Sequence, residues 1–229
     1  MVQQRLLDIA VEAFGRHGLD GASTREIAKA AGTAMSSITY HYGGKEGLYL
    51  AVADHVAEQM DEILPADVIE AALGNQDADR AREALRTALR LFVVKLQNPQ
   101  SDGWTLFIMR EQMNPTEAFE RIYAKRMGGM LDALVSLICL ASGTEDREAA
   151  KLTAISLLGQ VLVLKAARAM CRKLLDRDTL EPAILESYAD RLAANVDATL
   201  DRMIAERRLT TRRRTARARP KWRRRASGD

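Results

Sequence analysis

The chain has 229 residues, 47% of them hydrophobic and 28% charged, enough for one larger helical protein or two small domains with a packed core. Five prolines and 14 glycines argue against a turn-dense β protein, and two cysteines exclude a disulfide-stapled scaffold. The net charge of +3 hides a split: residues 207–229 hold eleven Arg and Lys against one acid, while residues 1–206 hold 23 bases against 30 acids. Such asymmetry points to a polyanionic partner, nucleic acid or an anionic surface, with a merely solvated tail as the alternative. Cys139 and Cys171 are expected to act as small core hydrophobes in a reducing compartment. The opening MVQQRLLDIAVEAF lacks a secretory pattern. The longest apolar stretch, 152–164, is interrupted by Thr153, Ser156, Gly159 and Gln160, and falls short of the roughly 20 residues that cross a bilayer. A cytoplasmic protein with no membrane partner is the expectation.

The periodicity predicts helices almost throughout and no strand, hence an all-α fold. Leu6, Ile9, Ala10, Ala13, Phe14 and His17 recur at helical spacing over Val2–His17, and Gly18 ends that helix. Ser23 and Glu26 have capping-box spacing before a short helix that stops ahead of Gly32. Thr33 is placed to cap a third helix from about Ala34 to Tyr42, closed by Gly43-Gly44. A longer helix is predicted from Lys45 or Glu46 to Leu64, with Leu48, Val52, Val56, Met60 and Ile63 on one stripe and Pro65 behind it. Residues 66–78 look like a weak helix or loop. Helices are then predicted at 79–97, 104–113, 116–141, 146–175 and 182–208, separated by Asn-Pro, Ser-Gly and Glu-Pro breaks. No repeat of 20–50 residues is visible, and 209–229 is too charged and core-poor to fold alone, so a disordered tail is expected.

Two short helices joined by Ala31-Gly32-Thr33 make a helix-turn-helix candidate. The second helix of such a unit enters the major groove while the first crosses the backbone. Ser36, Ser37, Thr39 and Tyr40 can donate to phosphates or base edges, while Ile38 and Tyr42 are spaced to face inward. Thr24 and Arg25 open the preceding helix, where free N–H groups favour a phosphate, with backbone contact favoured for Arg25. Lys45 opens the next helix and can reach the flanking backbone.

Residues 5–50 resemble the DNA-binding domain of the tetracycline-repressor (TetR) family of bacterial transcription regulators. The matching positions are Ala13-Phe14, Gly18, Thr24-Arg25-Glu26-Ile27-Ala28, Ala31-Gly32 and Ile38 through Tyr49. Many members carry Tyr at the position of Thr39, a side chain that meets a phosphate, and the neighbouring Tyr40 is the candidate substitute. The resemblance implies a contact set of Thr24, Arg25, Thr33, Ser36, Ser37, Thr39, Tyr40, His41 and Lys45. It divides the chain into a DNA-binding domain at 1–50, a helical ligand-binding and dimerisation domain at 51–208 and the basic tail. The stretch from Arg110-Glu111 to Pro115 resembles a subgroup with a CerR-type C-terminal domain. The implied partners are a palindromic double-stranded operator, a small-molecule effector and a second copy of the chain.

Trp104, Phe107, Met109, Arg110, Met113 and Tyr123 form an aromatic- and Met-rich stretch. Helical spacing of such residues fits core packing; the sharper expectation is an effector pocket lined by Trp104, Phe107, Arg110, Glu111, Met113 and Tyr123. Neighbours on a helix point apart, so Arg110 and Glu111 cannot both face one cavity. For dimerisation the expected face is Ile155, Leu158 and Leu162 on one long helix with Leu192, Val196 and Leu200 on the other. No nucleophile–base set has a recognisable spacing, so no catalysis is implied. His17, His41 and His55 show no tetrahedral-site spacing, and neither cofactor nor metal is expected. The rival readings are a helical enzyme acting through Arg110 and Glu111, and a non-specific nucleic-acid binder driven by the tail.

Overall fold

The computed structural model describes residues 2–60, 72–74, 76–98 and 102–218, with side chains at all of these except 2 and 211–218. Helix α1 spans Val2–Gly21 and buries Leu6, Ala10, Val11 and Phe14. Gly18, at φ 71° and ψ −179°, breaks it in a region that only glycine occupies freely, so the regular helix ends where the sequence placed its stop. The remaining turn leads into α2, Thr24–Ala31, capped by Ser23, whose Oγ accepts from the Glu26 N–H at 3.3 Å. Helix α3 is Met35–Tyr42. Its N-cap is Ala34, with no side-chain cap, and Thr33 instead donates its hydroxyl to Ser37 Oγ at 3.1 Å, which corrects the capping role expected of Thr33.

Helix α4 runs Lys45–Gln59, and the predicted extension to Leu64 lies outside the described residues. The turn between α3 and α4 is tight: a Cβ on Gly47 would stand 1.7 Å from the Tyr42 carbonyl oxygen. Helix α5, Ala78–Gln97, is capped by Asp77. Helix α6 is Asp102–Met113. The helix predicted over 116–141 is divided into α7, Glu117–Ile122, a π-helical turn, Tyr123–Met127, and α8, Gly128–Ser142. Poor helix formers at Gly128-Gly129 coincide with that change of pitch. The helix predicted over 146–175 likewise divides at Ala167, φ −113° and ψ 33°, into α9, Arg147–Ala166, and α10, Arg168–Leu174.

Helix α11 spans Pro182–Ala218, so 209–218 continues a helix rather than forming a loose tail. Propagating an existing helix through Arg, Thr and Ala needs no new nucleus, which is the term that composition alone misjudged. Residues 219–229, with Trp222, lie outside the described residues.

The helices form two groups. One is α1, α4, α6 and α7, with α2 and α3 attached at the C-terminal end of α1 and the N-terminal end of α4. The other is α5, α8, α9 and α11. One contiguous core joins them, from Phe14, Leu48 and Phe107 to Leu137, Val161 and Leu200. Cys171 is buried in it; Cys139 is half-buried, and burial pushes its thiol up. A ladder of ion pairs binds α5 to α11: Arg82 to Asp197 and Asp201, Arg86 to Asp197, and Arg90 to Glu186 and Asp190.

Candidate nucleic-acid interface

Helix α3 turns one residue inward and most of the others out. Ile38 is buried, and Tyr42 is half-buried, where desolvation raises its phenol. Met35, Ser36, Thr39, Tyr40 and His41 are exposed, and Ser37 is half-exposed beneath Thr33. Tyr40 is 86% exposed, and its ring meets His41 edge-on with centroids 5.0 Å apart. A helix of this diameter, with hydroxyls and imidazole outward, fits a major groove about 12 Å wide. Sequence reasoning passed over Met35, an apolar side chain 54% exposed on the first turn. It can meet a thymine methyl, and its exposure emerged only from the packing of α3.

The flanks of α3 carry groups that could take a phosphate. Arg25 is exposed and Thr24 half-exposed at the first turn of α2. Lys45, half-buried at the start of α4, donates Nζ to the Asp20 carbonyl at 3.0 Å. That bond ties α4 to the end of α1 and leaves further ammonium donors for a phosphate.

The six expected effector residues do not line one cavity. Phe107 is fully buried, tilted against Tyr49 with centroids 4.8 Å apart, and Tyr49 meets Phe14 edge-on at 4.9 Å. Trp104 is nearly buried in the same core. Arg110 turns the other way and donates Nη2 to the Arg16 carbonyl at 3.1 Å, closing the end of α1 beside Gly18. Met113 and Tyr123 are exposed. Glu111 is 1% exposed and accepts four hydrogen bonds among the described residues. One is from the Tyr49 hydroxyl at 2.6 Å; the others are from Thr116 N, Thr116 Oγ1 and Phe119 N at 3.0, 2.8 and 3.0 Å. The carboxylate thus caps α7 and clamps it to α4, the helix that follows α3. Burial, then the bond to Glu111, raises the Tyr49 phenol far above its ordinary value.

The expected dimer residues divide as well. Leu192, Val196 and Leu200 are buried in the protomer's own core, which removes them from any free face. Leu158 and Leu162 are half-buried. Ile155, at 66% exposed, and Leu152, at 63%, stand out from α9. Gly159 on α9 and Ala194 and Ala198 on α11 are exposed as well. By length and composition α9 is apolar enough to cross a bilayer, contrary to the reading of 152–164. The reason is that its two apolar faces, one buried and one outward, add up.

Residues 6–52 match the family described as bacterial regulatory proteins, tetR family, and residues 81–203 match the C-terminal domain of the HTH-type transcriptional dual regulator CecR. The HTH-type transcriptional dual regulator CecR of Shigella flexneri is 30% identical over 171 residues, 72% of this chain and 76% of that protein. The crystal structure of AibR in complex with isovaleryl coenzyme A and operator DNA superposes with a TM-score of 0.65 at 20% identity, covering 84% of this chain and 96% of that one. A TetR-family regulator from Mesorhizobium loti superposes with a TM-score of 0.58 at 22% identity, covering 86% and 96%. The chain belongs to the TetR family of bacterial transcription regulators, with a C-terminal domain of the CecR type.

Proposed function

We propose that the protein is a homodimeric repressor that holds a palindromic operator through α3 and releases it when a small apolar or amphipathic molecule binds the C-terminal domain. The observation that carries the reading is the outward face of α3, where Tyr40 is 86% exposed among polar side chains, uncovered by any other described helix. Response to an effector is supported by the Glu111–Tyr49 clamp, because any displacement of α6 or α7 is passed to α4 through a buried bond. A nearby precedent for the ligand class is AibR, whose structure holds isovaleryl coenzyme A with operator DNA. Dimerisation through Leu152, Ile155 and the small outward residues of α9 and α11 would set two reading heads one turn of the duplex apart.

The enzyme reading of Arg110 and Glu111 has no geometric support, since the two point apart and each is already engaged. The test is a footprint on the DNA upstream of the coding sequence, with and without isovaleryl coenzyme A and other acyl thioesters. A symmetric footprint that an acyl thioester abolishes supports the repressor. Protection in which no site stands out above a sequence-independent background would overturn the reading.

A further inference from the structure

The C-terminal half of α11 holds more positive charge than the reading head. From Arg202 to Ala218 the sequence carries seven arginines and one acid, Glu206, and no further acid precedes Asp229. The contacts along α11 give this charge an address. Its first half lies by the end of α5, through Arg90 to Glu186 and Asp190. That end of α5 meets α9 and the start of α6, where Lys165 bonds the Leu96 carbonyl and Asp102. The start of α6 packs on α1, since a Cβ on Gly103 would press on Glu12. The other half of α11 lies by the opposite ends: Arg82, near the start of α5, pairs with Asp201, and Arg207 bonds the Gly143 carbonyl behind α8. At 1.5 Å per residue, the stretch from Asp190 to Arg212 carries the charge about 33 Å along the helix axis, away from the α1 layer.

We propose that the basic half of α11, Arg202–Ala218, is a second duplex-DNA site, independent of sequence and remote from the reading head. Arg202 and Arg208 are exposed, and among the described residues Arg202 has only a loose pair with Glu206 at 4.0 Å. Arg207, Arg208, Arg212, Arg213, Arg214 and Arg217 are interleaved along the sequence with threonine and alanine. That composition, with Leu209 the one large apolar residue from Glu206 to Ala218, gives an acyl layer little to hold and so disfavours a lipid surface. It suits a ribbon of phosphates, where each cation releases condensed counterions. The remoteness means that the site takes a separate DNA segment instead of reinforcing the grip of α3 on the operator.

The experiment compares the full chain with the variant carrying Arg212→Gln, Arg213→Gln, Arg214→Gln and Arg217→Gln, substitutions that keep helix formers in place. The probe is a labelled random-sequence 30-base-pair duplex, titrated from 50 to 200 mM salt. A second arm uses Tyr40→Ala, which disables the head and leaves the tail. The expected result is at least a tenfold loss of duplex affinity in the quadruple variant at 50 mM salt. Its log–log salt slope should be shallower by about 3, and Tyr40→Ala should keep most of the binding. Equal affinity and slope in the quadruple variant and the parent, or loss of the random duplex in Tyr40→Ala alone, would overturn the proposal. So would a quadruple variant that loses binding to vesicles of phosphatidylcholine and phosphatidylglycerol while keeping the duplex.

Discussion

Tyr40 and Tyr49 are nine positions apart and meet opposite fates. Tyr40 is almost wholly exposed, so its ring contributes little to folding and is free for a partner. Tyr40→Ala is expected to leave the melting temperature unchanged while lowering operator affinity about tenfold, of the order of one lost contact, measured by fluorescence anisotropy on the footprinted duplex. Tyr49 is buried and donates to a carboxylate that is itself buried. Tyr49→Phe leaves one Glu111 oxygen without that donor and is expected to cost about 1–3 kcal/mol in urea unfolding. The same bond sets a pH dependence. The phenol of Tyr49 is raised in the folded state from an ordinary 10.0, so folding favours the protonated form. Its stabilising contribution is whole below pH 10 and declines as pH climbs toward the raised value. Unfolding free energies measured between pH 9 and 11 should therefore fall more steeply in the parent than in Tyr49→Phe.

At the level of elements, the turn joining α3 to α4 fixes the pose of α3, the proposed reading helix. Gly47 stands against the Tyr42 carbonyl, with no room for a Cβ. Gly47→Ala must push α3 from α4, a backbone shift expected to cost about 1–3 kcal/mol and most operator binding, read by calorimetry and anisotropy together. The sequence showed this turn as Gly43-Gly44 and a helix start, but the clash at Gly47 depends on two helices meeting. Similarly, the splits at Tyr123–Met127 and Ala167 interrupt segments whose apolar periodicity continues across them. Periodicity reports which face is buried, and it is indifferent to a local change of pitch.

For the whole molecule, the two helical groups do different work. The group around α1 and α4 carries α3, the proposed reading head, and the group around α9 and α11 presents an outward apolar face. Ile155→Glu is expected to convert the protein to a monomer in sedimentation velocity, because it buries an unpaired charge in the proposed interface while leaving the protomer core intact. Val196 on α11 makes the contrast: it is fully buried, so Val196→Glu is expected to unfold the protomer instead of separating two folded copies.

The helical character, the short pair of helices with its capping Ser23, the inward Ile38 and the exposed hydroxyls of α3 were all legible in the chain, because spacing and caps act within a few residues of themselves. The outward and inward positions of α3 were therefore readable from spacing alone. Where Arg110, Glu111 and the leucines of α11 point was not legible. The bond that ties Glu111 to α4 spans 62 residues and that of Arg110 spans 94, and which of two apolar faces turns inward depends on what the other helices leave uncovered. Packing at that distance is set by the assembled core, and so the internal clamp, the outward face of α9 and the far placement of the basic helix came from the fold.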